Sequence, residues 1–414
     1  NKVVEQILTN GRRMLWVPYT SAGATPALSS WLEFYGIKNS FGPGNNRRGG
    51  QETELTAFKI LGGRAAVEET LQMQAIAQSA AHAEERNIPV ATLTGVEVES
   101  HPFAAMLQEQ RVGGPELPLA WLAPHDHFFV HVARPSALLD FLEEGAEFIS
   151  RFGGVMNSNN LQYDLTTKYL SRLGLDNSWL RKFLESGEVE EMALIFPDLF
   201  FVDGTDLTTI SRLAHPQPVK LLLQLIGVAG LSPGKLVQHD LDDGRKVFWA
   251  LLDDLLVCSS SRSELDRVIA LHGTNGDGSL GKSDEFRYML TQLPPEKGTR
   301  IFAYISDPFI RRLVGPATKI AQLRRISARR EMEALTARIL LARANGVTHY
   351  DSLEVLAAGE YLPEQLDREE YSIDRDLKVH SRQYGTLAAM QSLESVPVEM
   401  VTKSEADSYQ RYVD

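Results

Sequence analysis

KVFWALLDDLLVCSSSRSELDRVIAL, residues 246–271, reads as two β-strands, a tight acidic turn and a helix. Val247–Leu252 and Leu255–Cys258 are short apolar runs rich in β-branched and aromatic residues. Asp253-Asp254 separates them, the pattern of a hairpin with at least one well-buried face. The apolar run stops at Ser259-Ser260-Ser261. Ser261 and Glu264 have the S-x-x-E spacing of a capping box, in which each side chain accepts from a backbone N–H that the first helical turn leaves unpaired. Leu265, Val268 and Ile269 follow at helical spacing and are expected to face the sheet.

Three further stretches share this syntax. His127–Val132 reads as a strand, and Arg134-Pro135-Ser136 leads from it into the helix LLDFL, with Pro135 suited to a first-turn position that needs no donor. DLFFVDGTDLTTISRL, ending at Leu213, reads as a hairpin around Asp203-Gly204 that runs into Pro216, Pro218 and the helix VKLLLQLI. Arg300–Ile305 reads as a strand, and Ser306-Asp307-Pro308 starts the helix FIRRLVG. These transitions keep no fixed period, which argues against a solenoid.

The expected fold is α+β: mixed, largely antiparallel sheets from hairpins, each followed by a covering helix, plus a long basic helix toward the C-terminus. Three regions are expected: an N-terminal α/β region at 1–120, a central hairpin-helix body at 121–315, and a C-terminal region at 316–414 begun by that helix.

The 414 residues suffice for a large core, and a hydrophobic content of 43% with 23% charged residues is ordinary for a globular protein. A net charge of −12 argues against general nucleic-acid binding, which needs a positive surface for the phosphates. No apolar run is long enough for a membrane span. The single cysteine, Cys258, lies in an apolar strand and reads as a small buried hydrophobe. The chain opens at Asn1 without a methionine, so processing or partial coverage is expected.

Along the chain, MLWVPYTSAG reads as a strand, Phe41–Gln51 as a Gly- and Asn-rich surface loop lacking the P-loop lysine pattern, and Ala65–Arg86 as a helix. Val90–Val98 reads as a strand and Tyr169–Leu184 as helical. Gly273–Gly281, GTNGDGSLG, has the strongest loop composition, lacks the calcium-loop pattern and is expected to be mobile. Lys319–Asn345 is the longest predicted helix, and its seven Lys and Arg against Glu331 and Glu333 give a local charge of +5. It reads as a solvated helix, with Arg324, Arg325, Arg329 and Arg330 as the possible surface for an acidic partner or an anionic membrane, a peripheral contact.

For chemistry, His125, His127 and His131 share one face of a strand and Phe128, Val130 and Val132 the other, so the histidines are expected on the less buried side. Such spacing can serve zinc, but no second ligand cluster accompanies it, and a polar outer face is the preferred reading. His101 before Pro102 reads as a turn residue. Asp203 with Asp206, and Asp242, Asp243, Asp253 and Asp254, could in principle pair as acid and base, but turn chemistry already accounts for them. No nucleophile elbow, zincin, Walker, dinucleotide or zinc-ribbon motif is present. No catalytic, cofactor-binding or metal residue is therefore assigned.

VEVESHPF, PLAWLAPHDHFFVHVARPSALLDFL, MALIFPDLFFVDGTDLTTISRL, LLDDLLVCSSSRSELDRVI and DSLEVLAAGEYLP together resemble a family of large uncharacterised bacterial proteins, a domain of unknown function expected to be exported to the cell envelope. His127 departs from the less basic residue expected at its position. The resemblance implies a periplasmic or envelope location, with the cytoplasm as the alternative, and carries no site residues. The resulting expectation is a non-catalytic extracytoplasmic protein that binds or scaffolds another protein, without a cofactor. The alternatives are a hydrolase or metal-dependent enzyme whose site is assembled from distant residues, and a peripheral subunit of a larger assembly.

Overall fold

Lys246–Leu252 and Leu255–Ser259 pair antiparallel, with Leu252 opposite Leu255. Asp253 turns the chain with a φ of 54°, a conformation that aspartate tolerates better than most residues. In this computed structural model the described residues are 85–110, 114–136, 138, 170–199, 205–242, 244–344, 346, 359, 369–374 and 378–413. All of them belong to a unit formed by residues 74–138 and 169–414, within which positions 120 and 315 both fall. The expected strand at residues 14–23, the loop at 41–51, most of the helix at 65–86, the helix after Pro135 and the Asp203-Gly204 turn lie outside the described residues.

The chain runs through β1 (Ile88–Pro89), α1 (Phe103–Glu109), β2 (Phe128–Val132), α2 (Asn177–Glu185), β3 (Val189–Phe196), β4 (Thr208–Leu213) and α3 (Pro216–Leu225). It continues through β5 (Leu236–Asp240), β6 (Lys246–Leu252), β7 (Leu255–Ser259), α4 (Arg262–Gly273), α5 (Asp284–Gln292), β8 (Ile301–Tyr304) and α6 (Asp307–Val314). The long α7 (Pro316–Ala344) follows, then β9 (Tyr371–Ile373), β10 (Val379–Ser381), β11 (Gly385–Thr386), β12 (Met400–Val401) and α8 (Lys403–Val413). The protein is α+β, and every named ladder is antiparallel.

The main sheet has seven strands in the order β5-β6-β7-β4-β3-β2-β8. One face carries Phe129, Ala193, Ile195, Ile210, Phe248, Ala250, Leu252, Leu255 and Val257. Leu265 and Val268 of α4, Phe286 and Leu290 of α5, and Leu119–Ala123 cover it. Alternate residues on the opposite face, among them Val132, Met192, Trp249, Leu251, Leu256 and Cys258, are buried as well. Burial on both faces explains why β6 and β7 read as continuous apolar runs rather than as alternating ones.

Two smaller cores use α7 as their spine. Met332, Leu335 and Ile339 pack with Tyr371, Ile373, Val379 and Tyr384 around the three-stranded β11-β10-β9 sheet. Ile320, Ala321 and Ile326 pack with Leu393, Val398, Val401 and Tyr409 beside α8.

Several expectations are corrected. Val90–Val98 is not a strand: after β1 it forms a 3-10 turn over Val90–Thr92 and then irregular chain. β3 and β4 pair antiparallel, with Ile195 opposite Thr208, and Leu199 is not in a strand. The Gly-rich loop expected to be mobile is partly packed: residues 273–275, 277 and 278 are exposed, but Gly276 and Ser279–Gly281 are buried, and a Cβ on Gly281 would stand 2.5 Å from Trp121 Cδ1. Glycine is needed there because the loop lies directly against the indole and no side chain would fit.

The covered face makes a direct prediction. Leu265→Ala, at a side chain with 0% exposure, is expected to cost about 2–5 kcal/mol in urea denaturation. Leu340→Ala, at 59% exposure, is expected to stay within about 0.5 kcal/mol. Equal costs would contradict this description of the core.

Candidate functional site

His127 stands one residue before β2, where the chain enters the sheet, and its side chain has 0% exposure. Its Nδ1 lies 2.8 Å from Asp126 Oδ1 and its Nε2 lies 2.6 Å from Glu264 Oε2. A neutral imidazole could donate to only one of these carboxylates and would set a lone pair against the other. Only the imidazolium donates to both.

Two arginines close the cluster. Arg312 of α6 donates from Nη1 to Asp126 Oδ2 at 2.9 Å and approaches Glu394 Oε1 with Nη2 at 2.6 Å. Arg267 of α4 holds Nη1 3.7 Å from Asp126 Oδ1 and 3.9 Å from Glu264 Oε1. Three carboxylates therefore meet three cations, and the cluster carries no net charge when His127 is protonated.

Ionisation equilibria follow this arrangement. Burial alone would lower the His127 pKa, but the bonds to Asp126 and Glu264, together with their charges, raise it above the ordinary 6.5. Burial opposes ionisation of Asp126, yet the bond from His127 and the charges of His127, Arg312 and Arg267 hold its carboxyl well below the usual carboxylate range. Glu264 is likewise disfavoured as an anion by burial, and the His127 bond and the same cations again prevail.

The local sequence explains part of the geometry. Ser261 caps α4, its side chain accepting from the Glu264 N–H. The other half of the expected capping box is not made: the Ser261 N–H donates to Ser259 Oγ, and the Glu264 carboxylate is turned to His127. The helix start thus aims a first-turn carboxylate at the entrance of β2.

A second buried cluster lies at the same end of the sheet. Asp206 accepts from Ser260 Oγ at 2.9 Å and Ser392 Oγ at 2.6 Å. Burial raises its pKa against the opposing pull of Ser392, Arg172 and Ser260. Arg172 donates to the Thr205 carbonyl, and Arg325 Nε donates to the Gln391 carbonyl at 2.8 Å. Burial and the neighbouring Arg172 charge bring Arg325 down to about 10. Through Ser392 and Glu394, one short segment fastens to both clusters.

At the far end of β2, His131 Nε2 lies 2.8 Å from Glu191 Oε2. Arg212 then donates to Glu191 Oε1 at 2.9 Å and to Asp254 Oδ2 at 2.9 Å. The His131 bond, outweighing burial and joined by Arg212, lowers the Glu191 pKa. Ionic links thus bracket the apolar face at both ends, with Phe129 between the two histidines.

The sequence reading of the histidines needs correction. His127 and His131 do share a face with Phe129, but that face is buried against α4, α5 and Leu119–Ala123, and the opposite face with Val130 and Val132 is buried as well. His125 is separate: it is exposed, and its Nδ1 is 3.0 Å from the Gly278 carbonyl. Among the described residues no group of three or more His, Cys, Asp or Glu is arranged to hold a metal ion. The carboxylates lie on opposite sides of the His127 ring, so their oxygens and a ring nitrogen do not converge on one point.

The basic face proposed for α7 is corrected too. Arg325 is 3% exposed. Arg324 donates from Nε and Nη2 to Glu405 at 2.6 and 2.8 Å. Arg329 pairs with Glu333 at 2.9 Å on the helix itself, and Arg330 is half-buried. The positive charge of α7 is largely answered within the chain, so the four arginines do not form one open docking face.

Asp206 departs from its expected turn role and is a buried acceptor. Asp253 and Asp254 keep theirs at the β6–β7 turn, and His101 is exposed in the turn before α1. No family model matches the chain, nor does any curated protein or solved structure. Among the described residues no helix is long and apolar enough to cross a membrane.

The two clusters respond differently to substitution. His127→Gln removes the central cation from two carboxylates and is expected to cost about 3–5 kcal/mol. Asp206→Asn keeps a neutral acceptor where burial already favours one, and is expected to cost about 1 kcal/mol. Urea melts at pH 6 compare them directly, and the reverse order would contradict the charge assignments.

The wild type should also lose stability as pH rises. A raised histidine pKa contributes fully below 6.5 and is lost as pH climbs through the folded value. The lowered carboxylates contribute above their ordinary values of 3.8 and 4.5 and fail only in acid. Stability measured from pH 5 to 9 should therefore fall on the alkaline side, and His127→Gln should flatten that fall.

Proposed function

We propose that the chain is a non-catalytic protein of the bacterial cell envelope that binds or scaffolds another protein. One observation carries this reading: of the groups best suited to acid–base or metal chemistry, His127 and Glu264 are buried, Asp126 is half-buried, and His127 is bonded to both carboxylates. A general base must reach a substrate proton and hold a pKa near the working pH. His127 has neither ring nitrogen free, and its neighbours hold it as a cation. Burial also pushes the Cys258 thiol well above its ordinary pKa, which disfavours the thiolate a nucleophile needs.

The envelope assignment rests on the five segments that resemble exported bacterial proteins. The binding assignment rests on the closed polar clusters together with apolar side chains left on the surface, among them Leu221 and Leu225 on α3. Structural ion-pair networks perturb pKa values as active sites do, so what weighs here is that both ring nitrogens of His127 are already bonded.

Native mass spectrometry of the protein taken from its own envelope fraction tests the reading. The expected result is a complex of fixed stoichiometry with a protein subunit. A monomer that hydrolyses ester, peptide or glycoside probes, and loses that activity in a folded Glu264→Gln or Asp126→Asn variant, would overturn it.

A further inference from the structure

Among the described residues β5 ends the main sheet, paired on one side only with β6. Its ladder keeps register from Leu236 opposite Ala250 to Asp240 opposite Lys246 without a bulge. At the turn, Leu241 N–H donates to the Arg245 carbonyl at 2.8 Å. Because bonding alternates along an antiparallel pair, Leu241, His239 and Val237 direct their amides toward β6, and Leu236, Gln238 and Asp240 direct theirs outward. Natural edges are often blunted by proline, bulges or charged side chains; residues 236–240 have no proline and no bulge, and Asp240 is the one acidic or basic side chain apart from His239.

The apolar surface beside this edge points the same way. Leu221 is 65% and Leu225 82% exposed, one turn apart on α3. α3 ends against β5: a Cβ on Gly227 would stand 2.9 Å from His239 Cε1. An open strand edge and an uncovered leucine pair therefore adjoin.

We propose that the partner is a second copy of this chain, paired antiparallel through β5 so that two sheets continue as one, with the two α3 helices packed across the seam. This rests on the binding reading above and names its partner. A twofold interface needs one self-complementary patch, and this one is self-complementary about Gln238. In that register Gln238 meets its own mate, Leu236 meets Asp240, and the three outward-facing residues of each copy exchange all their amide bonds. Val237 meets His239 and Lys235 meets Leu241, so no like charges stand opposite one another. Lys235 of each copy faces Leu241 of the other, one residue from Asp240 and Asp242 but on the opposite sheet face, so opposite charges come near one another at both ends of the seam without pairing directly.

The full chain of 46.1 kDa is expected to run at twice that mass in multi-angle light scattering at micromolar concentration. Leu225→Lys is expected to raise the dissociation constant at least tenfold without changing the circular dichroism. Gln238→Pro, which removes an outward N–H and leaves the β6 bonds intact, should do the same. Gln238→Cys supplies a readout independent of stability: bonded antiparallel partners lie about 5.5 Å apart at Cα, within disulfide reach, and the native Cys258 is buried. Oxidation should crosslink Gln238→Cys into dimers and leave Leu236→Cys largely uncrosslinked.

A monomer at all concentrations would overturn the proposal. So would a dimer that tolerates Leu225→Lys and fails to crosslink at position 238. A monomer that forms a stoichiometric complex with a different protein would overturn this partner while leaving the binding reading intact.

Discussion

The buried imidazolium of His127 is the interaction on which the arrangement of this unit depends. It joins the entrance of β2 to the first turn of α4, and through Asp126 and Arg312 it extends to α6 and Glu394. An unpaired charge in such a place would be costly, and here each charge is met by an opposite one within bonding distance. The cluster therefore acts as a fixed joint whose parts must all be present.

That joint sits beside a large apolar face, and the contrast explains how the layers align. Hydrophobic burial between α4, α5 and the sheet supplies the driving force but little direction. The ionic links at the two ends of β2 supply direction: Glu264 sets where α4 starts, and Glu191 with Arg212 ties β3 to β4 at the other end. Ser392 and Glu394 bring the C-terminal segment to the same end of the sheet, where Asp206 lies enclosed among hydroxyl donors. Distant parts of the chain thus meet where strands β2, β3, β4 and β7 begin or end.

Local patterning made the α+β class and several individual elements legible. The 246–271 stretch shows this best: the apolar runs, the acidic turn and the Ser261 cap all act within a few residues of one another. Ser306 and Ser283 cap α6 and α5 by the same local means. Interactions that span the chain left no such trace. Glu264 looked like helix punctuation because its partner, His127, is 137 positions away. The histidines looked like an outer face because alternation reports which residues share a side but not which side is covered. The arginines of α7 looked solvated because Glu405 and the Gln391 carbonyl, which receive Arg324 and Arg325, come far later in the chain. The Asp126-His127 pair at the mouth of an apolar strand was the one local sign of a buried charge.

The central claim is that His127 is a structural cation rather than a titrating base. The ¹⁵N resonances of its ring, followed from pH 5 to 9 in protein labelled at histidine, test this most directly. Two protonated nitrogens are expected at pH 7, because the two carboxylates raise the His127 pKa above 6.5, with slow exchange of both ring protons. A single neutral tautomer at pH 7, with one nitrogen open to solvent, would contradict it.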